Sequence, residues 1–258
     1  MKFDFSNKVA IVTGGGGGIG QLASIELAKL GAKVSVVDLN PDLGTQTVET
    51  IRNNGGEAMF IKADVSSEDD VKNYVKETVD AYGTVDVFLN NAGWEGMMKS
   101  LVDYPVESFD KVMNINVRGV FLGLKHVLPI MTAQNSGTIV NTASLAALQA
   151  TPNLSAYGAS KHAVLGLTKT AAVESAPHGV RVNAVCPGFV NTRMFNSISE
   201  GLAPGAAENV KQKSVASAPN GRYAEPIDIV QTMIYLASDL SSHIVGQGIV
   251  IDGGRILI

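Results

Sequence analysis

Tyr157 and Lys161 stand four residues apart in "SAYGASKHA", residues 155–163. On a helix, positions i and i+4 share a face, with Cβ atoms about 5–6 Å apart. An ammonium held there favours the phenolate and draws the tyrosine pKa down from its ordinary value of about 10. A tyrosine tuned in this way can give or take a proton near neutral pH. Ser144 lies thirteen residues before Tyr157, at the end of a strand-like run, where it could hydrogen-bond the same substrate oxygen. The chemistry of this trio is proton exchange with an alcohol or carbonyl oxygen. Tyr–Lys pairs at this spacing are common on helices, so the surrounding elements have to carry the reading further.

A second constellation lies near the start, in "VTGGGGGIG", residues 12–20. Thr13, Gly14, Gly18, Ile19 and Gly20 give the spacing T-G-x-x-x-G-I-G, with Gly15, Gly16 and Gly17 at the variable positions. The loop falls between a β-branched run and a helical pattern. Glycines at such a turn allow positive φ and a close approach of phosphate, and the helix start offers free N–H groups to an anion. Asp38 follows twenty residues after Gly18. A carboxylate at that spacing can accept hydrogen bonds from adenosine ribose hydroxyls and repels a 2′-phosphate; its plainer alternative is a helix cap. No Arg or Lys stands in the loop and Leu39 follows Asp38, so the residues favour NAD over NADP.

The elements that must position these groups alternate regularly. Strand-like runs cover residues 8–13, 33–38, 57–64, 85–93, 137–144, 180–188 and 247–254, with helical patterns between them. The longest patterns run over residues 106–134 and from residue 155 onward. Strands that read as continuous apolar runs between helices predict a parallel sheet covered on both faces. The fold class is therefore α/β: a doubly wound Rossmann domain spanning residues 1–258, with a substrate lid at about 193–215. The chain has 258 residues, 45% of them apolar, and a net charge of −4. That balance offers no basic footprint for nucleic acid. One cysteine, Cys186, suits a reducing compartment. The start, "MKFDFSNKVA", has no apolar run fit for a signal peptide, and no run is long enough for a membrane span. A cytoplasmic setting is expected. His126, His162, His178 and His243 show no metal-ligand spacing, so no metal is assigned.

Taken together, the motifs resemble the short-chain dehydrogenase/reductase family over nearly the whole chain. They are "TGGGGGIG" (13–20), Asp38, "ADV" (63–65), "NNAG" (90–93), "NINVRG" (114–119), Ser144, "YGASK" (157–161) and "PGFVNT" (187–192). The resemblance implies that Tyr157 is the general acid–base and that Lys161 lowers its pKa and holds the nicotinamide ribose. It implies that Ser144 orients and polarises the substrate oxygen. Asn116 would hold a water linking Lys161 to solvent, a role that coexists in this family with mending a bend in the long helix. Gly14, Gly18, Ile19 and Gly20 would cradle the pyrophosphate. Asp64 and Val65 are similar to the pair that contacts adenine, and Asn91, Ala92 and Gly93 would border the adenosine ribose. Pro187, Gly188, Val190 and Thr192 would wrap the nicotinamide. Members of the family commonly form tetramers, and the apolar tail "GRILI" could cover a neighbouring subunit.

The substrate pocket reads from flanking residues: Trp94, Glu95, Leu145, Leu154, Phe189, Met194 and Phe195. Their mostly apolar character favours a hydrophobic or cyclic secondary alcohol or ketone over a free sugar. Three other readings stay open. One is a 3-oxoacyl-carrier-protein reductase using NADPH, against which Asp38 and the acidic balance argue. A second is a noncatalytic NAD(H)-sensing protein, which would not need the Ser–Tyr–Lys–Asn set. A third is a structural oligomerisation module, which would not need the cofactor loop.

Overall fold

The computed structural model describes residues 3–258. Seven strands form one sheet: β1 (Val9–Thr13), β2 (Lys33–Asp38), β3 (Glu57–Lys62), β4 (Val87–Asn90), β5 (Gly137–Thr142), β6 (Val180–Pro187) and β7 (Gly248–Ile251). Their order is β3-β2-β1-β4-β5-β6-β7, and every neighbouring pair is parallel. The connections are α1 (Gly18–Lys29), α2 (Pro41–Asn53), α3 (Glu68–Tyr82), α4 (Val106–Met113), α5 (Gly119–Ala133), α6 (Ser155–Ser175), α7 (Arg193–Leu202), α8 (Ala207–Ala216) and α9 (Pro226–Ala237). This is the doubly wound arrangement expected from the alternation.

Side chains alternate between the sheet's two faces and build two apolar layers. Ile11 and Phe88 join Val71, Tyr74, Leu124 and Val164, from α3, α5 and α6. Ala10, Val12, Val87 and Leu89 join Leu27, Val48, Ile51 and Met233, from α1, α2 and α9. Burial on both faces explains the unbroken apolar runs of the central strands. The order reverses between β1 and β4, so the ends of these strands open the crevice where ligands bind in such sheets.

Local signals set the helix ends. Asn40 caps α2 by accepting from the N–H groups of Asp42 and Leu43 at 3.0 and 3.2 Å, with Pro41 at the first turn. Ser67 caps α3, which opens on three acidic residues and stops at left-handed Gly83. The long helical stretch from 106 is continuous but not uniform. Between α4 and α5 it widens to a π-helical segment, Asn114–Arg118. The segment following Thr192 is helical as well, formed by α7, α8 and the turn that joins them.

Candidate active site

The glycine loop leaves β1 and enters α1. Gly14 and Gly18 have φ of +65° and +53°, where L side chains are strained. A Cβ on Gly20 would run into the Gly14 carbonyl oxygen and lie 2.7 Å from Asn91 Nδ2. The third glycine of the motif therefore lets α1 sit against the strand ends. Gly15 and Gly16 differ from the sequence expectation of spare positions. A Cβ on Gly15 would lie 2.9 Å from Val36 Cγ1, and one on Gly16 2.9 Å from Asp38 Oδ2. Only Gly17 of the three faces open space. No side chain caps the start of α1 and no acidic residue stands in its first turn. Its unpaired N–H groups and positive dipole end thus fit a dinucleotide's pyrophosphate.

Asp38 sits at the rim of this loop. Its Oδ2 accepts from Gly16 N at 2.9 Å and its Oδ1 from Asn40 N at 2.9 Å. The cap of α2 is Asn40, so the alternative reading of Asp38 as that cap does not hold. Asp64 turns its carboxylate on Ser66, accepting from its N–H and hydroxyl at 2.9 and 2.7 Å. Val65 lies against Gly119 at the start of α5. Thr13 Oγ1 accepts from the N–H groups of Asn91 and Ala92 at 2.9 and 3.1 Å, and Asn91 Nδ2 donates to Thr13 O at 3.1 Å. These bonds tie the ends of β1 and β4 together. Gly188 N donates to Ile251 O at 2.9 Å, extending the contact between β6 and β7. Val190 is buried, and Thr192 caps α7, its methyl 3.5 Å from a Cβ placed on Gly18. The "PGFVNT" run thereby meets the glycine loop across the crevice.

Tyr157 and Lys161 occupy successive turns of α6, both buried. Lys161 Nζ donates to the Thr142 carbonyl at 2.7 Å and lies 5.5 Å from the centre of the Tyr157 ring. Burial pulls its pKa down to about 8. Burial pushes the Tyr157 hydroxyl up to about 12, while the Ser144 hydroxyl beside it pulls the other way and the Glu95 charge adds to the rise. The sequence expectation that Lys161 depresses the Tyr157 pKa is therefore not met in the protein alone. The ammonium is spent on a backbone carbonyl, and desolvation outweighs what remains. Ser144 also accepts from Ala146 N at 3.1 Å, which orients its side chain.

Asn116 lies in the π-helical segment and is fully buried. Its Oδ1 accepts from Trp94 N at 2.8 Å; its Nδ2 donates to Trp94 O at 2.9 Å and Ser160 Oγ at 3.0 Å. A Cβ on Gly93 would lie 3.3 Å from Asn116 Oδ1 and 3.5 Å from Lys161 Nζ, so the two polar groups converge over that glycine. The side chain clamps the turn after β4 to the π-helical segment, a contact the sequence reading had not assigned to it.

The pocket residues divide. Leu154 and Met194 pack with Tyr157, and the Tyr157 hydroxyl points at Met194 Sδ, 4.0 Å away. Phe189 and Phe195 stack on each other at 5.1 Å; Arg255 lies 4.2 Å over Phe189, and Tyr223 meets Phe195 edge-on. That aromatic group joins α7 to the C-terminal segment. Leu145 is buried in the short helical turn after Ser144. The Trp94 ring carries the Lys111 ammonium 4.7 Å above it. Glu95 is buried against Arg193. Sequence reasoning missed Met98 and Ile198, which pack against the cluster of Ala146, Leu154 and Tyr157, and Thr142, whose carbonyl holds Lys161. Thr142 left no signal of this kind, because it acts through its main-chain carbonyl at the end of β5 and not through its side chain.

A glycine-lined anion cradle and a Ser–Tyr–Lys group, its Tyr and Lys buried, at one end of a doubly wound sheet are what a nucleotide-dependent oxidoreductase requires. The comparisons agree. The family described as Enoyl-(Acyl carrier protein) reductase matches residues 15–255. Levodione reductase of Leifsonia aquatica is 38% identical over 253 residues, covering 97% of this chain and 95% of the relative. Cyclohexanol dehydrogenase of Acinetobacter sp. (strain SE19) is 37% identical over 253 residues, covering 98% and 96%. The crystal structure of an NAD+-bound xylitol dehydrogenase superposes with a TM-score of 0.92 at 36% identity, covering 97% of this chain and 99% of that one. The chain belongs to the short-chain dehydrogenase/reductase family. Among its described residues no helix is long and apolar enough to cross a membrane.

Proposed function

We propose that this protein transfers a hydride between NAD(H) and a secondary alcohol or ketone, hydrophobic or cyclic in its carbon frame. The observation that carries the reading is the convergence of Ser144, Tyr157 and Lys161 beside the glycine cradle, with the Tyr157 hydroxyl at the pocket wall of Leu154 and Met194. When bound, the nicotinamide ring supplies the hydride acceptor or donor. Tyr157 hands its proton to a ketone oxygen in reduction and takes one from the alcohol in oxidation. Ser144 hydrogen-bonds the same oxygen as its charge changes. Lys161 and Tyr157 hold the nicotinamide ribose, and Asn116 keeps the turn carrying Gly93 and Trp94 in place. The names of levodione reductase and cyclohexanol dehydrogenase support a cyclic substrate. The Asp38 carboxylate at the loop rim, with no Lys or Arg within the loop, supports NAD over NADP. A cytoplasmic homotetramer completes the proposal.

The test is a panel of secondary alcohols and ketones assayed by NADH absorbance with both cofactors. Expected are a higher kcat/KM with NAD(H) than with NADP(H), and a gap that narrows in Asp38→Ala. Tyr157→Phe keeps the ring and should lower kcat by about 10²–10⁴-fold, the usual contribution of general acid–base catalysis. Equal use of both cofactors removes the NAD assignment; near-normal turnover in folded Tyr157→Phe removes the mechanism.

A further inference from the structure

Glu95 is 1% exposed, and its Oε2 has no hydrogen-bond partner. Its Oε1 is met by Arg193 Nη1 at 3.4 Å, a long contact from a side chain that is itself 75% exposed. Burying a carboxylate is costly unless donors surround it. Here half of the group is left without one, which points to a donor that arrives with a ligand.

Its position says which ligand. Glu95 follows Gly93 and Trp94, the turn over which Asn116 Oδ1 and Lys161 Nζ converge. Arg193 is next in the chain to Met194, whose sulfur faces the Tyr157 hydroxyl. One turn of α7 therefore covers both the proton-transferring hydroxyl and Glu95. The Glu95 charge is also felt at Tyr157. A molecule that displaces Met194 from Tyr157 enters under the same turn of α7 that meets Glu95.

We infer that Glu95 is a second polar anchor of the substrate site and recognises a hydrogen-bond donor, a hydroxyl or an ammonium, elsewhere on the alcohol or ketone that Tyr157 acts on. The inference rests on the oxidoreductase reading and narrows it: the pocket is apolar in its walls but favours diols, hydroxyketones or amino alcohols over simple alcohols.

Binding to the NADH-loaded protein tests this without turnover, by isothermal titration with cyclohexanol, the 1,2- and 1,4-cyclohexanediols and 2-aminocyclohexanol. At least one second-donor compound should bind about tenfold or more tightly than cyclohexanol, the scale of a hydrogen bond to a charged group. The diol and amino alcohol arms separate hydroxyl from ammonium recognition. Glu95→Leu should bring the ratio close to one, and Glu95→Gln, which keeps the shape and an acceptor, should restore part of it. Arg193→Ala leaves the carboxylate in place and should keep the ratio. The inference is overturned if no second-donor compound binds better than cyclohexanol or if the ratio survives Glu95→Leu. It is equally overturned if Arg193→Ala alone abolishes the ratio, because Glu95 would then act only as a lid contact. Should Glu95→Leu fail to fold, the Gln and Arg193 variants decide. Failure of the dehydrogenase reading shows separately, as absence of hydride transfer in the absorbance assay.

Discussion

Lys161 concentrates the conflict between stability and chemistry in one side chain. It is buried and its charge is held by a single carbonyl, so its pKa falls from 10.5 to about 8. The folded state therefore gives up its proton more readily than the unfolded chain. The penalty for keeping the ammonium charged is present in full below about pH 8 and fades as pH rises toward the unfolded value of 10.5. The shift corresponds to something on the order of 3 kcal/mol. Lys161→Met, similar in length and apolar, should raise the melting temperature at pH 7 while abolishing turnover. That gain should shrink between pH 8 and 10.5. Thermal melts across this range check the claim; a gain independent of pH would place its origin in packing instead. The Tyr157–Lys161 spacing was legible in the sequence. What the spacing could not reveal was that Thr142 would claim the ammonium or that burial would carry the tyrosine upward.

At the scale of elements, alternation and caps were readable because they depend on neighbours in the chain. Asn40 with Pro41, and Ser67 with its acidic turn, announce α2 and α3 locally. The strand order was not readable from alternation alone, since the reversal between β1 and β4 depends on which face each helix covers. The bend at Asn116 was legible only through the family resemblance; its π-helical form and its bonds to Trp94, 22 residues away, were not. The same limit applied to the glycine loop, where only three-dimensional neighbours separate required from spare positions. Gly17 has extended backbone (φ −157°) and nothing within 4 Å of a Cβ, so Gly17→Ala should leave the cofactor-free fold unchanged or gain about 0.4–1 kcal/mol from lost chain entropy. Gly20→Ala drives a methyl into the Gly14 carbonyl and should cost about 1–3 kcal/mol, together with loss of NADH affinity as α1 shifts from the loop. Urea melts of both variants and NADH titration test the pair; equal stabilities would contradict the loop geometry.

At the scale of the molecule, the single chain leaves large apolar side chains in water. Leu101, Val102 and Val106 are strongly exposed, Val102 at 89%, and Phe109 and Phe121 follow on α4 and α5. The C-terminal Leu257 and Ile258 are 84% and 83% exposed. Exposed apolar side chains of this size are the material of contacts between proteins, and the proposed homotetramer would cover them. Light scattering at micromolar concentration should return four times the chain mass, and a stable monomer would end the proposal. The tail gives a sharper test, because it contributes little to its own fold. Leu257 and Ile258 bury almost nothing within the chain, so deleting residues 257–258 alone, with the more buried Ile256 kept, removes few internal contacts. If these residues insert against a neighbouring subunit, the deletion should lower the melting temperature by several degrees and make it depend more steeply on protein concentration, as mass action requires of a weakened assembly. A tail that stays in solvent would leave both quantities unchanged, and the tetramer, if present, would then be held by the α4 and α5 faces alone.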